Sequence, residues 1–122
     1  MAKTQLFIHM VEQNTSRLSD ILKAASDPTR RAILTLLAQE GAMRVTDLAD
    51  HYEMSLNSVS KHIKVLEKAG LVSRKTIGRV HLIQVDMEPV NEIDRWFNQL
   101  RSIWDMRLEA LENLLTKEPD ND

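Results

Sequence analysis

Between Ser55 and Ala69 the chain sets aliphatic residues on one side of a helical pattern and polar residues on the other. Leu56, Val59, Ile63 and Leu66 fall together and are predicted to pack inward. Asn57, Lys61, Lys64 and Lys68 gather on the opposite side, with Ser58 and Ser60 flanking them near the helix start. Such a helix suits a DNA major groove. Short hydrogen-bonding side chains at its N-terminus can approach base edges, and lysines further along can reach bases or phosphates. A solvated amphipathic helix would show the same lysines. The next segment argues against that plainer reading. Arg74, Lys75 and Arg79 cluster around Gly78 in a pattern of two short β runs, so a basic hairpin follows the basic helix directly. A hairpin in that position can touch the backbone or minor groove beside the groove being read.

Charge supports the same localisation. The 122 residues carry a formal net charge of −2, which alone gives no reason to expect a polyanion partner. The distribution is uneven. Residues 55–81 hold six basic side chains and one acidic, Glu67, whereas residues 82–122 hold four basic and ten acidic. A basic segment between neutral and acidic ones marks a local anion-binding face.

The remaining chain supplies the elements that must position this face. Asp27-Pro28 reads as an N-cap followed by proline at the first helical position. Ile33, Leu34 and Leu37 continue that helix to a stop at Gly41. Val45 reads as a short strand, and Thr46 is expected to cap a short helix over Asp47–Tyr52. Ser55 caps the next helix, which Gly70 ends. Upstream, Phe7, Met10, Val11, Leu18, Ile21, Leu22 and Ala25 form a helical stripe, in one helix or in two broken near Asn14–Ser16. Pro89 is predicted to open a long terminal helix. The fold class is therefore mainly α with a small β-hairpin. It is a single winged helix-turn-helix domain over 1–118, with the helix-turn-helix at about 46–69, the wing at 71–85 and the terminal helix at 89–116. Residues 119–122 are expected to be a disordered tail. Alternating strands and helices are missing, which argues against an α/β enzyme fold.

With these elements in place, the sequence itself resembles a known family. ASDPTRRAILTLLAQEG and VTDLADHYEMSLNSVSKHIKVLEKAGLVSRKTIGRVHL resemble winged-helix repressors of the ArsR/SmtB family, over about residues 20–86. The resemblance implies a bacterial or archaeal homodimeric repressor whose first and last helices form the dimer interface. It places the base-contacting part of the recognition helix on Leu56, Asn57, Ser58, Ser60 and Lys61. Leu56 and Asn57 stand where the family often has Gln-Pro, and Asn57 rather than Leu56 is expected to touch a base. His62 lies nearer the buried side and is expected to pack or cap. The candidate DNA contacts are Thr46, Asn57, Ser58, Ser60, Lys61, Lys64, Arg74, Lys75 and Arg79. The expected partner is double-stranded operator DNA, palindromic as a two-fold dimer demands, and no inducer is assigned.

The terminal helix bears on the oligomer. Ile93, Phe97, Leu100, Trp104, Leu108, Leu111 and Leu115 recur at spacings of three and four, and Trp96 and Ile103 widen the apolar surface. One small domain cannot bury all of it. The expected seam is homodimeric, with Leu18 and Leu22 from the first helix and Phe97, Leu100, Trp104, Leu108 and Leu111 from the last.

Other chemistry finds little support. The chain has no cysteine, so thiolate metal sites, disulfides and thiol catalysis are ruled out. The family's Cys-Val-Cys-Asp-Leu metal motif aligns with Arg44-Val45-Thr46-Asp47-Leu48. His9, His51, His62 and His81 show no ligand spacing, although a site shared between subunits through His9 is an alternative. No metal, cofactor or catalytic residue is expected. Glu109 and Glu112 lie three apart on a surface helix, without the desolvation that would tune a general acid. No membrane span or signal peptide is evident, so a cytoplasmic, nucleoid-associated protein is expected. The alternatives are a metal-responsive sensor of the same family and a winged-helix protein-interaction module that binds no DNA.

Overall fold

Residues 16–117 are described in a computed structural model. The stripe residues Phe7, Met10 and Val11, the break near Asn14, His9 and the tail 119–122 lie outside them. Helix α1 covers residues 16–24 of the described chain. It buries Ile21 and Ala24 completely or nearly so, while Leu18 is half-buried and Leu22 exposed. The last carbonyls of a helix lack partners within it. Two arginines of the next helix supply them. Arg30 Nε donates to Ala24 O at 2.6 Å, and Arg31 Nη1 donates to Ala25 O at 2.9 Å and Ser26 O at 2.8 Å. The Arg30-Arg31 pair thus fastens α1 to α2.

Helix α2 (Pro28–Glu40) begins as its sequence predicts. The Asp27 carboxylate accepts from Arg30 N at 3.0 Å, and Pro28 occupies the first turn, where a missing N–H costs nothing. Ile33, Leu36 and Leu37 are buried, so the inward residue is Leu36 where the periodicity pointed to Leu34, which is only half-buried. Strand β1 (Met43–Arg44) leads into helix α3 (Val45–Tyr52). Two local expectations change here. The strand lies on Met43–Arg44 and Val45 is already helical. Thr46 is inside the first turn, and the N-cap position belongs to Arg44, whose side chain makes no capping bond. Backbone pairing of Met43 with Ile83 and Arg44 with Leu82 outweighs the local preference of threonine for a cap.

Helix α4 (Leu56–Lys68) starts at Ser55, whose hydroxyl accepts from Ser58 N at 3.1 Å. It ends in a Schellman turn: Leu71 N donates to Leu66 O and Gly70 N to Glu67 O, both at 2.9 Å. That turn puts Gly70 at φ 78, a conformation costly for any residue with a Cβ. Strands β2 (Val72–Ile77) and β3 (Val80–Val85) pair antiparallel, with Ile77 opposite Val80 across the two-residue turn Gly78-Arg79. Gly78 has φ 63, which a tight hairpin requires at its first central position. The sheet is three-stranded in the order β1-β3-β2, so the short strand expected near Val45 joins the hairpin.

The core joins Ile21, Ile33, Leu37, Leu48, Val59, Ile63, Leu66, Leu71 and Ile83, all at 2% exposure or less. Burying each such side chain stabilises the fold by about 1.5–3 kcal/mol, and truncating Ile63 to alanine would cost about 2–5 kcal/mol. Tyr52 closes one edge by donating its hydroxyl to Ala32 O at 2.8 Å.

Helix α5 (Met87–Lys117) starts two residues before Pro89, which is tolerated because the first turn needs no N–H from it. Asp86 Oδ1 accepts from Glu88 N at 3.0 Å and satisfies one of the free N–H groups of that turn. Pro89 is buried, and Val90 and Ile93 pack against the core, so Ile93 belongs to the domain rather than to the expected seam. Arg17 Nη2 lies 2.8 Å from Glu92 Oε1 and ties α1 to this root. From residue 94 to residue 116 every side chain is exposed. At about 1.5 Å per residue the 31-residue helix extends roughly 46 Å. Among the described residues no helix is long and apolar enough to cross a membrane.

Candidate nucleic-acid interface

Three segments far apart in sequence meet at one edge of the domain: the start of α3, the first two turns of α4 and the hairpin. A cleft of about 370 Å³ lies between them. Arg44, Val45 and Thr46 line one side, Leu56 and Ser60 another, and Arg74, Arg79, Val80 and His81 the third. Three guanidinium groups line one small concavity and bias its field positive, although Asp47 lies beside Arg44 and Glu67 beside Arg74.

Helix α4 presents its polar face as predicted. Asn57, Lys61, Lys64 and Lys68 are exposed, while Val59, Ile63 and Leu66 are at 0%. Ser60 is half-buried on the cleft side. Ser58 is also half-buried, and its Oγ accepts from Ser55 Oγ at 3.0 Å, so this candidate contact is first a member of the helix cap. Leu56 departs from expectation. It was predicted to pack inward and is 51% exposed. Its angular position is close to that of Ile63, but at the start of α4 that side of the helix faces the cleft rather than the core.

The wing candidates divide. Lys75 and Arg79 are exposed. Arg74 Nε donates to Glu67 Oε1 at 2.9 Å, which fixes its guanidinium between wing and helix and partly neutralises it. Thr46 is exposed at the cleft edge. His62 Nδ1 is 3.9 Å from Asp27 Oδ2, beside the α2 cap, in keeping with a packing or capping role. The Asp27 carboxyl is held below its ordinary value of 3.8 chiefly by the bond from Arg30 N; desolvation opposes this, and the Arg30 and His62 charges add to the lowering.

Sequence reasoning missed two cleft residues. Arg44 sits some thirty residues before the wing, in a segment of near-neutral charge, and only the pairing of Arg44 with Leu82 brings it to the hairpin. Its Nε lies 3.4 Å from Asp47 Oδ2. His81 enters the cleft from β3, with Nδ1 3.2 Å from Thr76 Oγ1. The alternation of β3 could have found it. Among the described residues no three histidine or acidic side chains come together in a way that could hold a metal ion.

Of the expected seam residues, only Leu18 is half-buried. Leu22, Phe97, Leu100, Trp104, Leu108 and Leu111 are all exposed, Trp104 at 58%. Trp96 and Phe97 touch in a tilted arrangement, 5.0 Å between centroids. An exposed apolar run of this extent is unusual on a monomer.

Comparison with known proteins agrees with this geometry. A helix-turn-helix domain model matches residues 25–74. The arsenical resistance operon repressor of Staphylococcus xylosus is 37% identical over 78 residues, covering 64% of this chain and 74% of the repressor. A crystal structure of an ArsR family transcriptional regulator is 34% identical, with TM-score 0.68, covering 75% of this chain and 93% of that one. The solution structure of a homodimeric winged helix-turn-helix DNA-binding domain from Mycobacterium bovis, described as a possible ArsR-family regulator, is 26% identical. Its TM-score is 0.57, and the match covers 79% of this chain and 85% of that one.

Proposed function

The chain belongs to the ArsR family of winged helix-turn-helix transcriptional regulators, and we propose that it is a repressor that binds a palindromic operator as a homodimer. It acts by occupying duplex DNA, with no catalytic step. The observation that carries this reading is the cleft in which Arg44 and Arg79 flank Ser60, continuous with the exposed Asn57-Lys61-Lys64 face of α4. Helix α4 enters the major groove with Asn57 and Lys61 toward base edges, and Lys75 and Arg79 of the wing hold adjacent phosphates. The homodimer is built on the apolar surface of α5 with Leu18 and Leu22 of α1. A two-fold dimer sets two α4 helices about 34–36 Å apart, one turn of duplex, which makes the operator an inverted repeat. The site of action is the nucleoid.

Footprinting on the DNA upstream of the protein's own gene tests this reading. Wild type should protect an inverted repeat, and Lys61→Ala combined with Arg79→Ala should lose that protection at physiological salt. Equal protection by both proteins would overturn the assignment of Lys61 and Arg79, and no protection by wild type would favour an interaction module that binds no DNA.

The effector is not a metal bound at the start of α3. Arg44 and Thr46 offer a guanidinium and a hydroxyl where a sensing site needs thiolates, and Arg44 is already directed toward Asp47. Zinc, cadmium and arsenite should leave the protein–DNA complex intact, with a chelator control. Stoichiometric release of DNA by any of them would restore the metal-sensor reading.

A further inference from the structure

We propose that Leu56 is a specificity-determining residue that reads the C5-methyl group of a thymine in each half-site. This rests on the DNA-binding reading above and goes beyond it, because it assigns a base to a side chain that sequence periodicity places in the core. Leu56 is the first residue of α4, directly after the Ser55 cap, and is 51% exposed. The other aliphatic residues on that side of the helix, Val59, Ile63 and Leu66, are at 0%. Leu56 instead lines the basic cleft with Thr46, Ser60 and Arg79. It is thus an apolar patch set among hydrogen-bonding and cationic groups, at the end of the helix whose N-terminal residues meet base edges. The thymine methyl is the apolar feature that a base pair offers on its major-groove edge, and an apolar side chain is its natural reader. The cap bonds from Ser58 N and between the Ser55 and Ser58 hydroxyls hold the backbone of the first turn in place, so the base of the leucine side chain is positioned in advance. A guanidinium or amide partner would discriminate by hydrogen bonding. Leu56 discriminates by the desolvation of a methyl group, about fourfold in affinity per half-site.

The test starts from a random duplex pool from which wild-type protein selects its binding sequence. Each thymine of the selected duplex is then replaced singly, in both half-sites, by deoxyuridine, which keeps the base pair and lacks the methyl. At one thymine the replacement should weaken wild-type binding about fourfold per half-site. Leu56→Ala should bind the thymine duplex correspondingly more weakly and should not distinguish thymine from uracil at that position. Its melting temperature should stay near wild type, because the side chain supports little of the core, and the wild-type uracil scan reads the contact without any variant. If no thymine is sensitive, or if Leu56→Ala discriminates as well as wild type, the proposal is overturned while specific DNA binding stands. If the pool yields no preferred sequence, the DNA-binding reading fails and this proposal with it.

Discussion

Arg74 on the first wing strand and Glu67 on helix α4 are joined by a 2.9 Å hydrogen bond between guanidinium and carboxylate. Glu67 is the one acid in an otherwise basic segment, and its partner is a residue expected to touch DNA. The pair links the wing to the recognition helix and partly neutralises one positive charge of the cleft. Both side chains are partly exposed, so the pair itself adds only about 0–1 kcal/mol to stability.

Glu67→Gln should therefore leave the fold intact and strengthen binding to unrelated duplexes. It removes a negative charge near phosphate and frees Arg74. If Arg74 then gains a phosphate contact, the salt dependence should steepen by about one unit of slope. Fluorescence anisotropy across a salt series measures both. A variant that binds non-specific DNA more weakly than wild type would show that the pair's main task is to orient the wing.

Dimerisation should depend on the part of α5 beyond Ile93, since Val90 and Ile93 serve the domain core and the rest does not. Trp104→Ala should weaken association by about 3–5 kcal/mol if the ring is fully buried in the seam. A chain ending at Asp94 should be monomeric and still melt cooperatively. Sedimentation velocity and circular dichroism distinguish these states, and a stable dimer from the shortened chain would place the seam elsewhere.

Acid stability should carry the signature of Asp27. Its carboxyl is held low in the folded protein by the bond from Arg30 N, so the folded state binds the proton less readily than the unfolded chain does. The stability from this group is complete above 3.8 and is lost as pH falls through the lower folded value. Asp27→Asn retains an acceptor for the cap but no carboxylate. Its thermal midpoint should fall less steeply with acid than that of wild type below about pH 4.

Glu53 offers a gain in stability. It has φ 52, the one positive value outside glycine among the described residues, and it ends α3 with Met54 N bonded to Ala49 O at 3.1 Å. Glu53→Gly removes the Cβ strain of that conformation at the cost of a more flexible unfolded chain. The net expectation is a stabilisation of about 0.5–1 kcal/mol, read as a higher urea midpoint with unchanged slope.

Much of this protein was legible in the order of its residues because local physics decides much of it. Asp27-Pro28 and Ser55 start helices through bonds within one turn, Gly70 and Gly78 end elements through their own φ, and the 3.6-residue period separates Val59, Ile63 and Leu66 from Asn57, Lys61 and Lys64. These are short-range effects, so the helix-turn-helix, the hairpin and the polar face follow from the sequence alone. What escaped depends on long-range pairing and on where the core stops. Arg44 joins the cleft only because β1 pairs with β3, and Thr46 yields its expected cap to the same pairing. Leu56 and Ile63 share an angular position on α4, and periodicity cannot tell them apart. The tertiary structure does, because Ile63 faces the packed core while Leu56 faces the open cleft between α3, α4 and the hairpin, leaving Ile63 at 0% exposure and Leu56 at 51%.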